Sequence, residues 1–203
     1  MNPWKEIELN DYESHMKQDD VRQLQTLAEM MKDQFYQNPV TSIMIMGVAG
    51  GNGLTHVHSP LQKVYGIDIN KTYLDACTKR YPWLKDIFKP ICIDLTQDVT
   101  LPKAELIIAN LFIEYVGYSC FQAAVKQVSP GYVSCIIQVN EADGFVSDSP
   151  YLHAFDRLEE VYHEIDEEGC RRMMQDIMYE PIRKNSRKLP NGKYLLQLDY
   201  RKK

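Results

Sequence analysis

A chain of 203 residues, 44% hydrophobic and 25% charged, is long enough to bury a substantial core and has an ordinary globular composition, which excludes disordered and fibrous classes. Its formal net charge of -5 argues against a broad nucleic-acid footprint, whose mark is clustered excess Lys and Arg; Arg183-Lys184, Arg187-Lys188 and Arg201-Lys202-Lys203 read as solvated turn and tail residues. Five scattered cysteines without C-x-x-C spacing point to neither a zinc site nor a disulfide framework, and no apolar run resembles a signal peptide or a membrane span, so a cytoplasmic protein with no membrane partner is expected.

Residues 1–20 are polar and read as irregular. Val21, Leu24, Leu27, Ala28, Met31 and Phe35 then recur at steps of three and four, one face of an amphipathic helix ending near Asn38-Pro39. Residues 42–46 form a buried strand that breaks into Gly47, Gly50, Gly51 and Gly53 and leads toward a short helix over 54–59, closed by Pro60. A strand over 63–69 ends in Asp68-Ile69, a helix over 71–80 is stopped by Pro82, and a third strand over 91–95 carries Asp94. Strand 106–110 ends in Asn110, helix 120–128 follows, and strand 132–139 precedes Asn140. Beyond a polar loop, residues 154–165 are helical in spacing, and 177–200 read as two strands around Pro190-Asn191-Gly192, a hairpin turn. Cys92 and Cys135, inside apolar strand runs, are expected in the core.

Strands rich in Val and Ile alternating with helices predict an α/β fold, a largely parallel sheet covered on both faces and closed by an antiparallel hairpin. A single domain is expected over 1–203, with a helical lid at 1–38, a ligand-binding core at 41–140 and a helix and hairpin at 141–203. In such sheets ligands bind outside the carboxyl ends of the strands, where strand order reverses. The glycine turn, Asp68, Asp94, Asn110 and Asn140 all fall on that edge. Asp68 follows the last glycine by fifteen residues, close to the ~20 expected of a carboxylate on a ribose diol. Each acid alone reads equally as a helix cap or turn residue.

Taken together and in this order, these residues resemble the class I methyltransferases that use S-adenosylmethionine, of the small-molecule type. The resemblance covers about 41–139 and implies a doubly wound, mostly parallel seven-stranded sheet. It implies a cofactor loop at Gly47, Ala49, Gly51 and Gly53, a ribose contact at Asp68 with Ile69, adenine neighbours at Asp94 and Leu95, and Asn110 with Leu111 beside the methionine part. Ile45 stands where the family carries an acid two residues before the first glycine, and Ala49 where it carries the second.

Methyl transfer chiefly requires that the nucleophile be aligned with the S–CH3 axis and that water be excluded. If the acceptor is a hydroxyl, His15 and Glu114 are the first candidates for removing its proton. Tyr12 and Tyr115, with Asn140 and the 145–151 loop, are candidate contacts for a small-molecule acceptor, in a monomer or homodimer. His56 and His58, two apart, do not share a helix face, and with His153 and His163 they read as structural or surface residues, so no metal is expected. An NAD(P)-dependent oxidoreductase of similar fold and a non-catalytic cofactor-binding or partner protein are the alternatives.

Overall fold

The computed structural model describes residues 2–140 and 152–203, with the backbone alone at 152–154. The 145–151 loop and the His153 side chain lie outside the described residues. Its centre is one seven-stranded sheet made of β1 (Ser42–Met46), β2 (Lys63–Asp68), β3 (Phe88–Cys92), β4 (Leu106–Asn110), β5 (Tyr132–Val139), β6 (Tyr179–Lys188) and β7 (Tyr194–Lys202), in spatial order β3-β2-β1-β4-β5-β7-β6. The first five strands pair in parallel, and β7 runs antiparallel between β5 and β6. The expected mixed sheet with a reversed terminal hairpin is therefore present. At its turn, Gly192 has φ +86° and the Asn191 side chain accepts from the Lys193 amide at 3.1 Å.

The helices are α1 (Leu9–Lys17), α2 (Gln23–Tyr36), α3 (Lys71–Arg80), α4 (Ile113–Val128) and α5 (Glu167–Gln175). Alternation along β1 sends Met44 and Met46 to one face, where they pack with Ile107, Phe121 and Met174, and Ile43 and Ile45 to the other, with Phe35, Leu74 and Cys77. Both faces are thus covered, which is why β1, β4 and β5 read as continuous apolar runs.

Several elements differ from the sequence reading. Residues 1–20 contain α1, whose inward face carries Glu13 and His15 beside Met16, so apolar periodicity does not reveal it. The third strand lies at Phe88–Cys92, upstream of 91–95: β3 is an edge strand, which tolerates Pro90, and Cys92 is exposed there rather than in the core. The helix expected at 120–128 begins at Ile113 and breaks at Gly117, where φ is +74°. Residues 54–59 supply only a 3₁₀ turn, Leu54–His56, and 154–165 is overlapped by a 3₁₀ stretch, Leu152–Glu160, in place of an α-helix. Helix α5, unforeseen, has a readable start: Asp166 accepts from the Gly169 amide at 2.6 Å, with Glu167 and Glu168 in the first turn.

Candidate functional site

Strand order reverses between β1 and β4, which place Gly47 and Asn110 at neighbouring carboxyl ends. The cleft there has an empty volume of about 710 Å³, the open space at its mouth included. Eight of the ten residues predicted to hold a cofactor line it: Gly47, Ala49, Asp68, Ile69, Asp94, Leu95, Asn110 and Leu111. Gly51 and Gly53 do not. A Cβ on Gly51 would meet the Tyr81 ring at 2.6 Å, and one on Gly53 the Met31 sulfur at 2.5 Å, so these two glycines serve packing beneath the loop.

The glycine loop is shaped by backbone bonds. The amides of Gly47 and Val48 donate to the Ile67 carbonyl at 2.9 and 3.1 Å. Gly47 has φ +72°, and a Cβ there would stand 2.7 Å from the Phe112 ring. Ala49 holds φ +46°, a left-handed conformation that costs an L-residue about 1–2 kcal/mol. Asp68 secures it: Oδ2 accepts from the Ala49 amide and Oδ1 from the Asn70 amide, each at 2.9 Å. Burial pushes the Asp68 carboxyl up from its ordinary value, against these amide bonds, which pull it down. Ile45 is buried on the sheet face toward α2 and α3, so Asp68 anchors this loop where no acid precedes the glycines.

Asp94 closes a turn, its Oδ1 accepting from the Thr96 amide at 3.0 Å and hydroxyl at 2.6 Å. Asn110 lines the cleft but exchanges hydrogen bonds with Gln34. Leu111, at φ +51°, donates its amide to the Ile136 carbonyl at 2.8 Å and turns the chain from β4 into α4.

A second cleft, about 620 Å³ with its mouth, shares Trp4, Tyr12, Leu111 and Tyr115 with the first. It gathers His15, Glu114, Tyr12 and Tyr115, four of the residues singled out in the sequence, together with Phe155 and Tyr162. Asn140 lines neither cleft; it accepts from Gln138 Nε2 at 2.8 Å. Glu114 is 4% exposed: Oε1 accepts from the Gln138 amide at 3.0 Å, and buried Oε2 has no partner among the described residues. Burial pushes the Glu114 carboxyl up to about 7. His15 packs against Phe155 with ring centroids 4.9 Å apart; burial first, then Lys193, lowers its pKa, with Asp20 opposing.

The first residues of the chain roof both clefts. Asn70 Nδ2 donates to the Trp4 carbonyl at 3.0 Å, and the Tyr73 hydroxyl to the Ile7 carbonyl at 2.9 Å. Arg80 grips Glu13 of α1 with its two terminal guanidinium nitrogens and also reaches the Gly50 carbonyl at 3.2 Å. Trp4 escaped the sequence reading, since an isolated aromatic before the first helix has no periodic partners. His58 stacks on Tyr36 with centroids 3.7 Å apart, and among the described residues no three potential metal ligands cluster.

No family model and no curated protein sequence matches the chain. Solved structures do. The N-methyltransferase NodS from Bradyrhizobium japonicum WM9, in complex with S-adenosyl-L-homocysteine, is 12% identical with a TM-score of 0.67, the match covering 100% of this chain and 99% of that one. Geranyl diphosphate C-methyltransferase from Streptomyces coelicolor A3(2) is 13% identical with a TM-score of 0.67, over 90% of this chain and 81% of that one. The [4+2]-cyclase SpnF is 11% identical with a TM-score of 0.66, over 90% and 82%. Strand order, reversed hairpin and these likenesses agree: the chain has the fold of the class I S-adenosylmethionine-dependent methyltransferases.

Proposed function

We propose that this chain is an S-adenosylmethionine-dependent methyltransferase acting on a small molecule, a single domain whose first 38 residues form the lid. The observation that carries this reading is the pair of clefts sharing one wall: one lined by the glycine loop, Asp68, Asp94 and Asn110, the other by Glu114, His15 and aromatic rings. Neighbours of the same fold include both methyltransferases and a cyclase, so the reading rests on the clefts, with the fold as background.

The residues fit the cofactor. Gly47, with no Cβ, lets the Phe112 ring close against the loop, and each Asp68 oxygen, having accepted one amide, keeps a lone pair for a ribose hydroxyl. Ile93 and Leu95 offer apolar surface to a purine beside Asp94. When bound, the cofactor supplies an electrophilic methyl group on a sulfonium. Trp4, Tyr12 and Tyr115 keep water from the boundary between the clefts, and Leu111, fixed by Ile136, sets the floor there.

Equilibrium dialysis of the full chain with labelled S-adenosylmethionine tests the reading. Saturable binding is expected, and Asp68→Ala should weaken it by ~1–3 kcal/mol, the worth of hydrogen bonds to a charged group. Tighter binding of NAD would establish the oxidoreductase alternative instead, and absence of methyl transfer to any acceptor despite binding would favour a non-catalytic binder.

A further inference from the structure

The second cleft has an unusual charge pattern. Among the described residues that line it, Glu114 is the one acidic side chain and there is neither Lys nor Arg. The Oε2 atom is buried without a partner among the described residues, although Oε1 of the same carboxyl is satisfied by Gln138. Around it stands a train of rings meeting edge to face: Trp4 on Tyr12 at 5.8 Å, Trp4 on Tyr115 at 4.8 Å and Tyr115 on Tyr162 at 6.4 Å between centroids. An anionic acceptor would face a carboxylate and find no Lys or Arg among the described lining residues, the charge of Lys193 being felt at His15 from outside that lining. A cation would find the carboxylate oxygen and the negative faces of the rings, the arrangement that recognises organic ammonium ions. The remaining titratable neighbours do not alter this. His15, from α1, is lowered by burial toward its neutral form, while Tyr12, Tyr115 and Tyr162 are raised and stay neutral phenols.

Resting on the methyl-donor reading of the first cleft, we infer that the second cleft binds its acceptor as an organic ammonium ion, a primary or secondary amine held against Glu114 Oε2, and that the transfer is an N-methylation. An ammonium nitrogen has no lone pair, and a sulfonium held in the first cleft would disfavour a second cation near it. Both difficulties are resolved by one proton transfer. Glu114 takes the proton from nitrogen and becomes a neutral carboxylic acid, for which its burial is suited. The freed lone pair forms the C–N bond as the electrons of the S–C bond pass to sulfur, leaving a thioether and a methylated ammonium ion. No oxidant or further reactant is needed.

Calorimetry on the full chain separates this inference from the reading beneath it. S-Adenosyl-L-homocysteine is titrated first, and absence of its binding overturns the methyl-donor reading. Three probes of one shape are then compared with and without it: phenethylamine, 2-phenylethanol and phenylacetate. The amine is expected to bind at least tenfold more tightly than the alcohol, with phenylacetate weakest, and Glu114→Gln should abolish the amine's advantage over the alcohol. Equal binding of amine and alcohol, preference for phenylacetate, or no binding of any probe at millimolar concentration overturns the inference. The comparison within the unsubstituted chain holds even if Glu114→Gln folds poorly.

Discussion

The side-chain amides of Gln34 and Asn110 exchange two hydrogen bonds, of 2.9 and 2.8 Å, tying the interior of α2 to the carboxyl end of β4. Gln34 is fully buried and also donates to Ser134 Oγ at 2.8 Å, and Ser134 donates to Asp199 at 2.5 Å. A polar file therefore runs from the first cleft through the sheet face to the terminal hairpin. Gln34→Leu should cost ~1–3 kcal/mol in urea unfolding, the price of buried polar groups left without partners. It should also raise the dissociation constant for labelled S-adenosylmethionine several-fold, because Asn110 is then free to turn; unchanged affinity would show that Asn110's orientation does not matter to binding.

Stability should fall as pH rises from 5 to 8. The Glu114 carboxyl is raised from 4.5 to about 7 in the fold, so between these values the folded chain keeps a proton that the unfolded chain has released. The loss accumulates through that window, amounts to about 2–3 kcal/mol, and levels off above pH 7. Asp68, also raised, adds a slope of the same sign beginning at lower pH. Urea unfolding across this range should show most of the slope disappearing in Glu114→Gln.

Removing the guanidinium at Arg80 should loosen the roof. Glu13 is buried, and Arg80 meets both of its oxygens while Lys17 stands 3.5 Å away as a lesser partner. Arg80→Gln should destabilise by ~1–2 kcal/mol, since the arginine itself is nearly half exposed. Hydrogen exchange is the more direct measurement: amides of α1 should lose protection while those of β1 and β4 keep theirs.

Ala49 offers the opposite sign. Its φ of +46° is available to glycine without steric cost, so Ala49→Gly should raise stability by about 1 kcal/mol. Ala49→Val, bulkier and β-branched, should lower stability and weaken cofactor binding together, since residue 49 lines the cleft. Thermal unfolding and dialysis on both variants check the pair.

Where burial is two-sided the sequence is transparent: β1, β4 and β5 are continuous apolar runs, and their expected bounds match the observed Ser42–Met46, Leu106–Asn110 and Tyr132–Val139. Edge and roof are harder. β3 is only half covered, so its apolar residues continue past the strand as Ile93 and Leu95, which face the cleft. Helix α1 turns Glu13 and His15 inward, and a polar inner face has no hydrophobic period to detect. The strand-end residues of the candidate site were legible because their positions follow from topology. The Gln34 pairing was not, because its partners lie 76 and 100 residues away and a buried glutamine looks like any other in a helix.

Trp4 and Tyr12 stand in the wall common to both clefts, and the carbonyls of Trp4 and Ile7 are pinned to Asn70 and Tyr73. The first dozen residues are thus a door with two rooms behind it. A ligand in either cleft meets the same two side chains, so any coupling between the clefts passes through them and, by reciprocity, acts equally in both directions.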